Sequence, residues 1–123
     1  MPLATDIAQS SQEPAVSSRF RGYFPVVVDV ETAGFNASTD ALLEIAAVTL
    51  QMDSKGYWSL DQMVNRHVNP FEGANLDPAA LEFTGIDPHH PFRREIAVDE
   101  KEALQDIFRL VRAAMKPVNC KRA

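Results

Sequence analysis

The chain has 123 residues, 46% of them apolar, which suits one small folded domain and excludes a wholly disordered polypeptide. Its formal net charge of −5 argues against a nucleic-acid coat protein, which neutralises phosphates with surplus Lys and Arg, but leaves room for an enzyme that gathers carboxylates around metal ions. The single cysteine, Cys120, excludes an internal disulfide, and no Cys/His cluster of zinc spacing surrounds it.

Residues 1–18 are rich in Ser, Gln, Ala and Pro without apolar periodicity, and read as a disordered leader ahead of a domain over residues 19–123. No apolar run reaches the roughly 20 residues of a membrane span, and no basic-then-apolar secretory signal opens the chain, so a cytoplasmic protein is expected. The run Val26-Val27-Val28-Asp29-Val30 is short and β-branched, bounded by Pro25 and Gly34, and predicts a buried strand. A loop over residues 33–40 follows. Residues 42–50 form a second apolar segment, for whose latter part Ile45, Val48 and Thr49 predict a strand. Asp53-Ser54-Lys55-Gly56 supplies a turn, and a third extended stretch runs from Tyr57 to Val68, completing a three-stranded antiparallel meander. Asp77-Pro78 reads as an N-cap and first helical position, with Gly85 past the end of a short helix carrying Leu81 and Phe83. A longer helix starts near Asp99, whose spacing to Glu102 suits a capping box. It places Ala103, Leu104, Ile107, Phe108, Val111 and Met115 on one face and ends before Pro117.

Asp29 and Glu31 are two residues apart on a strand, so both carboxylates point to one face, where they can share a hard divalent cation. An Asp-x-Glu pair is common and is usually two solvated side chains. Here it ends an apolar strand, and burying unpaired carboxylates is unfavourable unless a cation neutralises them.

The segment Val28-Asp29-Val30-Glu31-Thr32-Ala33-Gly34-Phe35-Asn36 resembles the first motif of DEDD-type exonucleases, and its Ala-Gly-Phe-Asn ending is similar to the ribonuclease T family. The stretches at residues 40–47, 70–76 and 83–86 resemble that family in the same order, so the likeness runs from Arg19 to Ala123. It implies an α/β, ribonuclease H-like exonuclease fold, truncated to the meander plus the following helices. The implied function is 3′→5′ exoribonuclease trimming of tRNA and other stable RNAs, with two Mg²⁺ ions in the complete site. By resemblance Asp29 is the aspartate bridging both metals and Glu31 the glutamate on the metal that positions the water. Thr32 matches a contact to the terminal nucleotide, or makes a strand-end hydrogen bond. Phe35 and Phe83 match phenylalanines that stack on the last bases, although Phe83 can also be read as the core face of its helix. Ala79 stands where the family commonly has a glutamate among its base contacts, which leaves terminal-base preference open. Arg19, Arg21, Lys116 and Arg122 match basic positions that hold the RNA body across a homodimer. Glu44 is read as a local partner rather than a metal ligand.

The family completes its site with a second aspartate and a His-x-x-x-x-Asp motif, neither of which is found. His67 and His90 each precede a glutamate by five residues, Glu72 and Glu95, a coincidental spacing. The chain by itself is therefore expected to be inactive. Two other readings follow from the same residues: a non-catalytic RNA-binding or dimerisation module, and a DNA proofreading-type exonuclease able to take single-stranded DNA.

Overall fold

The computed structural model describes residues 15–123. Its frame is a three-stranded antiparallel sheet in the order β1-β2-β3, formed by Val26–Thr32, Leu42–Met52 and Trp58–His67. Three helices follow: α1 (Pro78–Thr84), α2 (Pro91–Ile96) and α3 (Glu100–Met115).

The central strand alternates strictly. Leu43, Ile45, Ala47 and Thr49 are buried on one face, while Leu42, Glu44, Ala46, Val48 and Leu50 are half-exposed on the other. The buried face packs against Ala103, Ile107 and Val111 of α3, together with Val16, Phe24, Val68 and Cys120. That pattern begins at Leu42, so β2 covers the whole apolar segment rather than its latter part. A second, smaller core of Ala33, Ala41 and Leu43 is closed by Ala74, Leu76, Leu81 and Ile86.

The capping chemistry matches the sequence. Asp77 Oδ1 accepts from the Ala79 amide (3.0 Å), Pro78 opens α1, and Gly85 ends it with φ of 72°. Asp99 Oδ1 accepts from the Glu102 amide (2.7 Å) at the start of α3. The apolar stripe of α3 is wider than its packed face. Leu104 and Phe108 stay exposed.

Four features differ from the sequence reading. Strand β1 is not buried: it lies at the sheet edge with β2 as its sheet neighbour, and Val27, Val28 and Val30 are all exposed. The desolvation argument for a cation at Asp29 and Glu31 therefore lapses, because Asp29 is exposed and Glu31 only half-buried. Helix α2 was not anticipated; it is six residues long, with His90 Nδ1 accepting from the Phe92 amide and Pro91 at its first position. It carries Arg93, which is buried and whose Nη2 donates to the carbonyls of Leu43 and Val68. Order also starts before Arg19. Val16–Ser18 form a 3₁₀ turn with Val16 in the core, while residues 1–14 of the expected leader lie outside the described residues.

Candidate functional site

Strand β1 ends at the sequence Asp29-Val30-Glu31-Thr32, with Asp29 and Glu31 on one sheet face. Register pairs Glu31 with Glu44 of β2, and Glu44 with His67 of β3, so the three side chains form a row across that face. Like charges directly opposite one another are unfavourable. Glu44 answers locally: its Oε1 accepts from Asn65 Nδ2 (3.1 Å), and the Arg93 guanidinium is near enough for the two charges to attract. Burial pulls the Arg93 guanidinium down from its ordinary value, against that attraction and the one from Asp87. The register shifts between Glu31 and Thr32, and irregularities of this kind re-aim side chains at a strand end.

Asp29 and Glu31 offer hard oxygen donors on one face, which fits part of a magnesium ligand set. Among the described residues no group of three or more His, Cys, Asp or Glu is placed to hold a metal ion. The fit is that of a partial set.

Beside Glu31 lies a cleft of about 300 Å³. Glu31, Thr32, Gly34 and Phe35 form one wall, and Asp77, Ala79, Ala80, Phe83 and Thr84 form the other. The two walls come from separate segments stitched together by backbone hydrogen bonds. Ala33 N–H donates to Ala41 (2.8 Å), Asp77 N–H to Ala33 (2.9 Å) and Asn75 N–H to Thr39 (2.7 Å). Asp40 then locks the intervening loop, its Oδ2 accepting from the Asn36 amide (2.9 Å) and its Oδ1 from Asn75 Nδ2 (2.9 Å) and Thr39 Oγ1 (2.9 Å). The Asn36 bond, then that from Asn75, outweigh burial and hold the Asp40 carboxyl below its ordinary value, with Thr39 adding a smaller pull. Gly34 sits against this carboxylate with φ of 155°, and a Cβ there would overlap Asp40 Oδ2.

Phe35 and Phe83 face solvent at this cleft, at 105% and 91% relative exposure. Leu81 takes the core position on α1, so the reading of Phe83 as a core residue is overturned. Thr32 Oγ1 donates to the Gly34 carbonyl (2.7 Å), the strand-end hydrogen bond, while the residue also lines the cleft. Asp29 lies outside the cleft wall. Ala79 presents only a methyl group to it.

The basic positions gather elsewhere, where the described ends of the chain meet. Tyr23 and Arg122 form a parallel bridge, and the Phe24 amide donates to the Arg122 carbonyl (2.7 Å). Arg21 and Arg122 line one hollow together with Lys121, a cation the sequence reading missed. Only chain closure places Lys121 beside Arg21. Arg19 precedes the turn of Phe20–Gly22, and Lys116 caps α3 without lining the hollow. No described helix is long and apolar enough to cross a membrane.

Comparison with known proteins identifies the family. The RNase T family model, described as Exonuclease, matches residues 26–123. The chain is 58% identical over 117 residues to a ribonuclease T of Cronobacter sakazakii, covering 95% of this chain and 52% of that protein. It is 62% identical over 108 residues to one of Photorhabdus laumondii, covering 88% and 49%, and 59% identical over 117 residues to one of Yersinia enterocolitica, covering 95% and 54%. The chain thus spans about half the length of the curated relatives it matches. Its three-stranded antiparallel sheet followed by helices is the architecture of the ribonuclease H-like exonuclease fold. Sequence motif, sheet topology and family match agree: the chain belongs to the ribonuclease T family of exonucleases.

Proposed function

We propose that the protein to which this chain contributes is a magnesium-dependent 3′→5′ exoribonuclease, acting in the cytoplasm as a homodimer to trim the 3′ ends of tRNA and other stable RNAs. The observation that carries this reading is the cleft itself, in which two exposed phenylalanines stand beside Glu31, at the end of the strand that carries Asp29 on the same face. Asp29 and Glu31 would hold the metal ions, whose chemistry is to activate a water and stabilise the leaving 3′ oxygen. Phe35 and Phe83 stack on the terminal bases, a grip that suits a single-stranded end because every base has an aromatic face. Thr32 braces the loop under Phe35 through its bond to Gly34 and borders the terminal nucleotide. Arg19, Arg21, Lys116 and Arg122 hold the RNA body.

Two carboxylates alone bind Mg²⁺ weakly, since that ion keeps its waters and leans on substrate phosphates. The chain by itself is inactive on this reading. A nuclease assay tests it: the product of the whole reading frame, with 5′-labelled single-stranded RNA and Mg²⁺, shortens the substrate from its 3′ end, and Asp29→Ala abolishes shortening. Shortening that survives Asp29→Ala overturns the assignment. The convergence of Arg21, Lys121 and Arg122 also supports a second reading, a non-catalytic RNA-holding module, marked by salt-sensitive RNA binding indifferent to Asp29→Ala.

A further inference from the structure

The turn that leads into β1 is built in an unfavourable backbone conformation. Phe20 and Arg21 have φ of 45° and 59°, a left-handed region that bulky L residues rarely adopt, and the third such non-glycine residue among those described, Asn119, lines the adjoining hollow at 56°. Sites that retain such geometry are drawn disproportionately from ligand contacts. Here it sets the Phe20 ring on the surface at 61% exposure, with its centroid 5.8 Å from that of Trp58 and the planes tilted by 52°. Trp58 is half-buried and packs against the main core, so it backs the Phe20 ring with a rigid support.

Cations adjoin this aromatic pair on the Phe20 side. Arg19 and Arg21 flank Phe20 in sequence, and Arg21, Lys121 and Arg122 share the neighbouring hollow with Tyr23. Arg122 Nη1 donates to the Tyr23 hydroxyl (3.4 Å) rather than to a carboxylate. The ion pairs among the described residues join Asp106 of α3 to Arg66 of β3 and to Arg109, and none involves these cations. In a chain of net charge −5, a basic cluster without ion pairs among the described residues, next to an exposed ring, is a local exception that matches a polyanion bearing flat apolar groups.

We propose that Phe20, backed by Trp58, is a stacking platform for an unpaired base in the body of an RNA strand whose adjoining phosphates rest on Arg21, Lys121 and Arg122. This rests on the RNA-processing reading and adds to it a means of selecting single-stranded over duplex RNA, since a paired base cannot turn its face to the ring. The platform is separate from the Phe35 and Phe83 cleft, with which it shares no lining residue.

The chain carries its own probe, because Trp58 is its single tryptophan. Titration at low salt uses a circular oligoadenylate, which has no 3′ end to enter the other cleft, and a circular strand of equal length with abasic sites. The oligoadenylate is expected to change Trp58 emission, and the abasic strand to bind more weakly without changing it. Phe20→Leu, which keeps apolar cover over Trp58, should weaken oligoadenylate binding roughly fivefold or more and leave the abasic strand as it was. Arg21→Ala should weaken both. If Phe20→Leu alters neither affinity while Arg21→Ala lowers both, the platform is overturned and the RNA-holding reading stands. If neither strand binds, or if polyglutamate displaces both strands as readily as unlabelled RNA of equal charge does, both fall.

Discussion

At the scale of single residues, the site depends on one close approach. Gly34 lets the Asp40 carboxylate pass where a Cβ would collide, and that carboxylate holds the loop from which Phe35 projects. Gly34→Ala should therefore leave the sheet intact but speed exchange of the Asn36 amide, which donates to Asp40 Oδ2, read by hydrogen exchange. The Asp40 carboxyl is held below its ordinary value by the Asn36 and Asn75 bonds, so its contribution to the folded loop is fully present above that ordinary value and is lost as pH falls through the lowered one. An NMR titration of the Asn36 amide should show its midpoint below the usual carboxylate range; a midpoint at or above that range would contradict the bonding. Arg93 is the other decisive side chain. Removing it takes the donor from the Val68 carbonyl in the interior, whereas the Leu43 carbonyl still accepts from Val68 N–H (2.8 Å), and Arg93→Ala should lower unfolding stability by about 1–3 kcal/mol in urea denaturation. The two-residue step made the shared face of Asp29 and Glu31 legible in the sequence. Arg93 was not legible, because an Arg on a short polar segment carries no local mark of burial. Neither was the outward turn of Phe83, which depends on Leu81 winning the place beside Ala33 and Leu43.

At the scale of elements, capping and punctuation could be read directly, since they depend on neighbours a few residues away. Asp77-Pro78 with Gly85, and Asp99 with Glu102, act as their types require. Asp99→Ala should cost about 1 kcal/mol of stability, and Asp99→Asn much less, because the amide oxygen still accepts from Glu102 N–H. Helix α2 escaped because six residues are too few to display a period, and its cap is a histidine ring nitrogen rather than an oxygen. Strand β1 was misread for a related reason. A continuous valine run resembles a strand covered on both faces, but coverage depends on what lies beyond the edge, which no local pattern records.

At the scale of the whole molecule, two features stand apart: a cleft flanked by Phe35 and Phe83 at the C-terminal end of β1 and a basic hollow near its N-terminal end, where Arg122 pairs with Tyr23. Composition gave no hint of this division, because the cations that form the hollow are about a hundred residues apart in sequence. The exposed valines of β1 form an apolar edge that invites pairing with another chain. Val28→Lys should reduce concentration-dependent light scattering of this chain without altering its circular dichroism. The central claim is that Phe35 and Phe83 grip the last base of a strand beside the carboxylates. Its most direct test is a short RNA carrying 2-aminopurine at its 3′ end, titrated with this chain. The account predicts fluorescence quenching that disappears when the label moves inward from the end, and affinity reduced roughly fivefold or more in Phe35→Ala and in Phe83→Ala. Quenching that ignores label position, or that survives both substitutions unchanged, would contradict it.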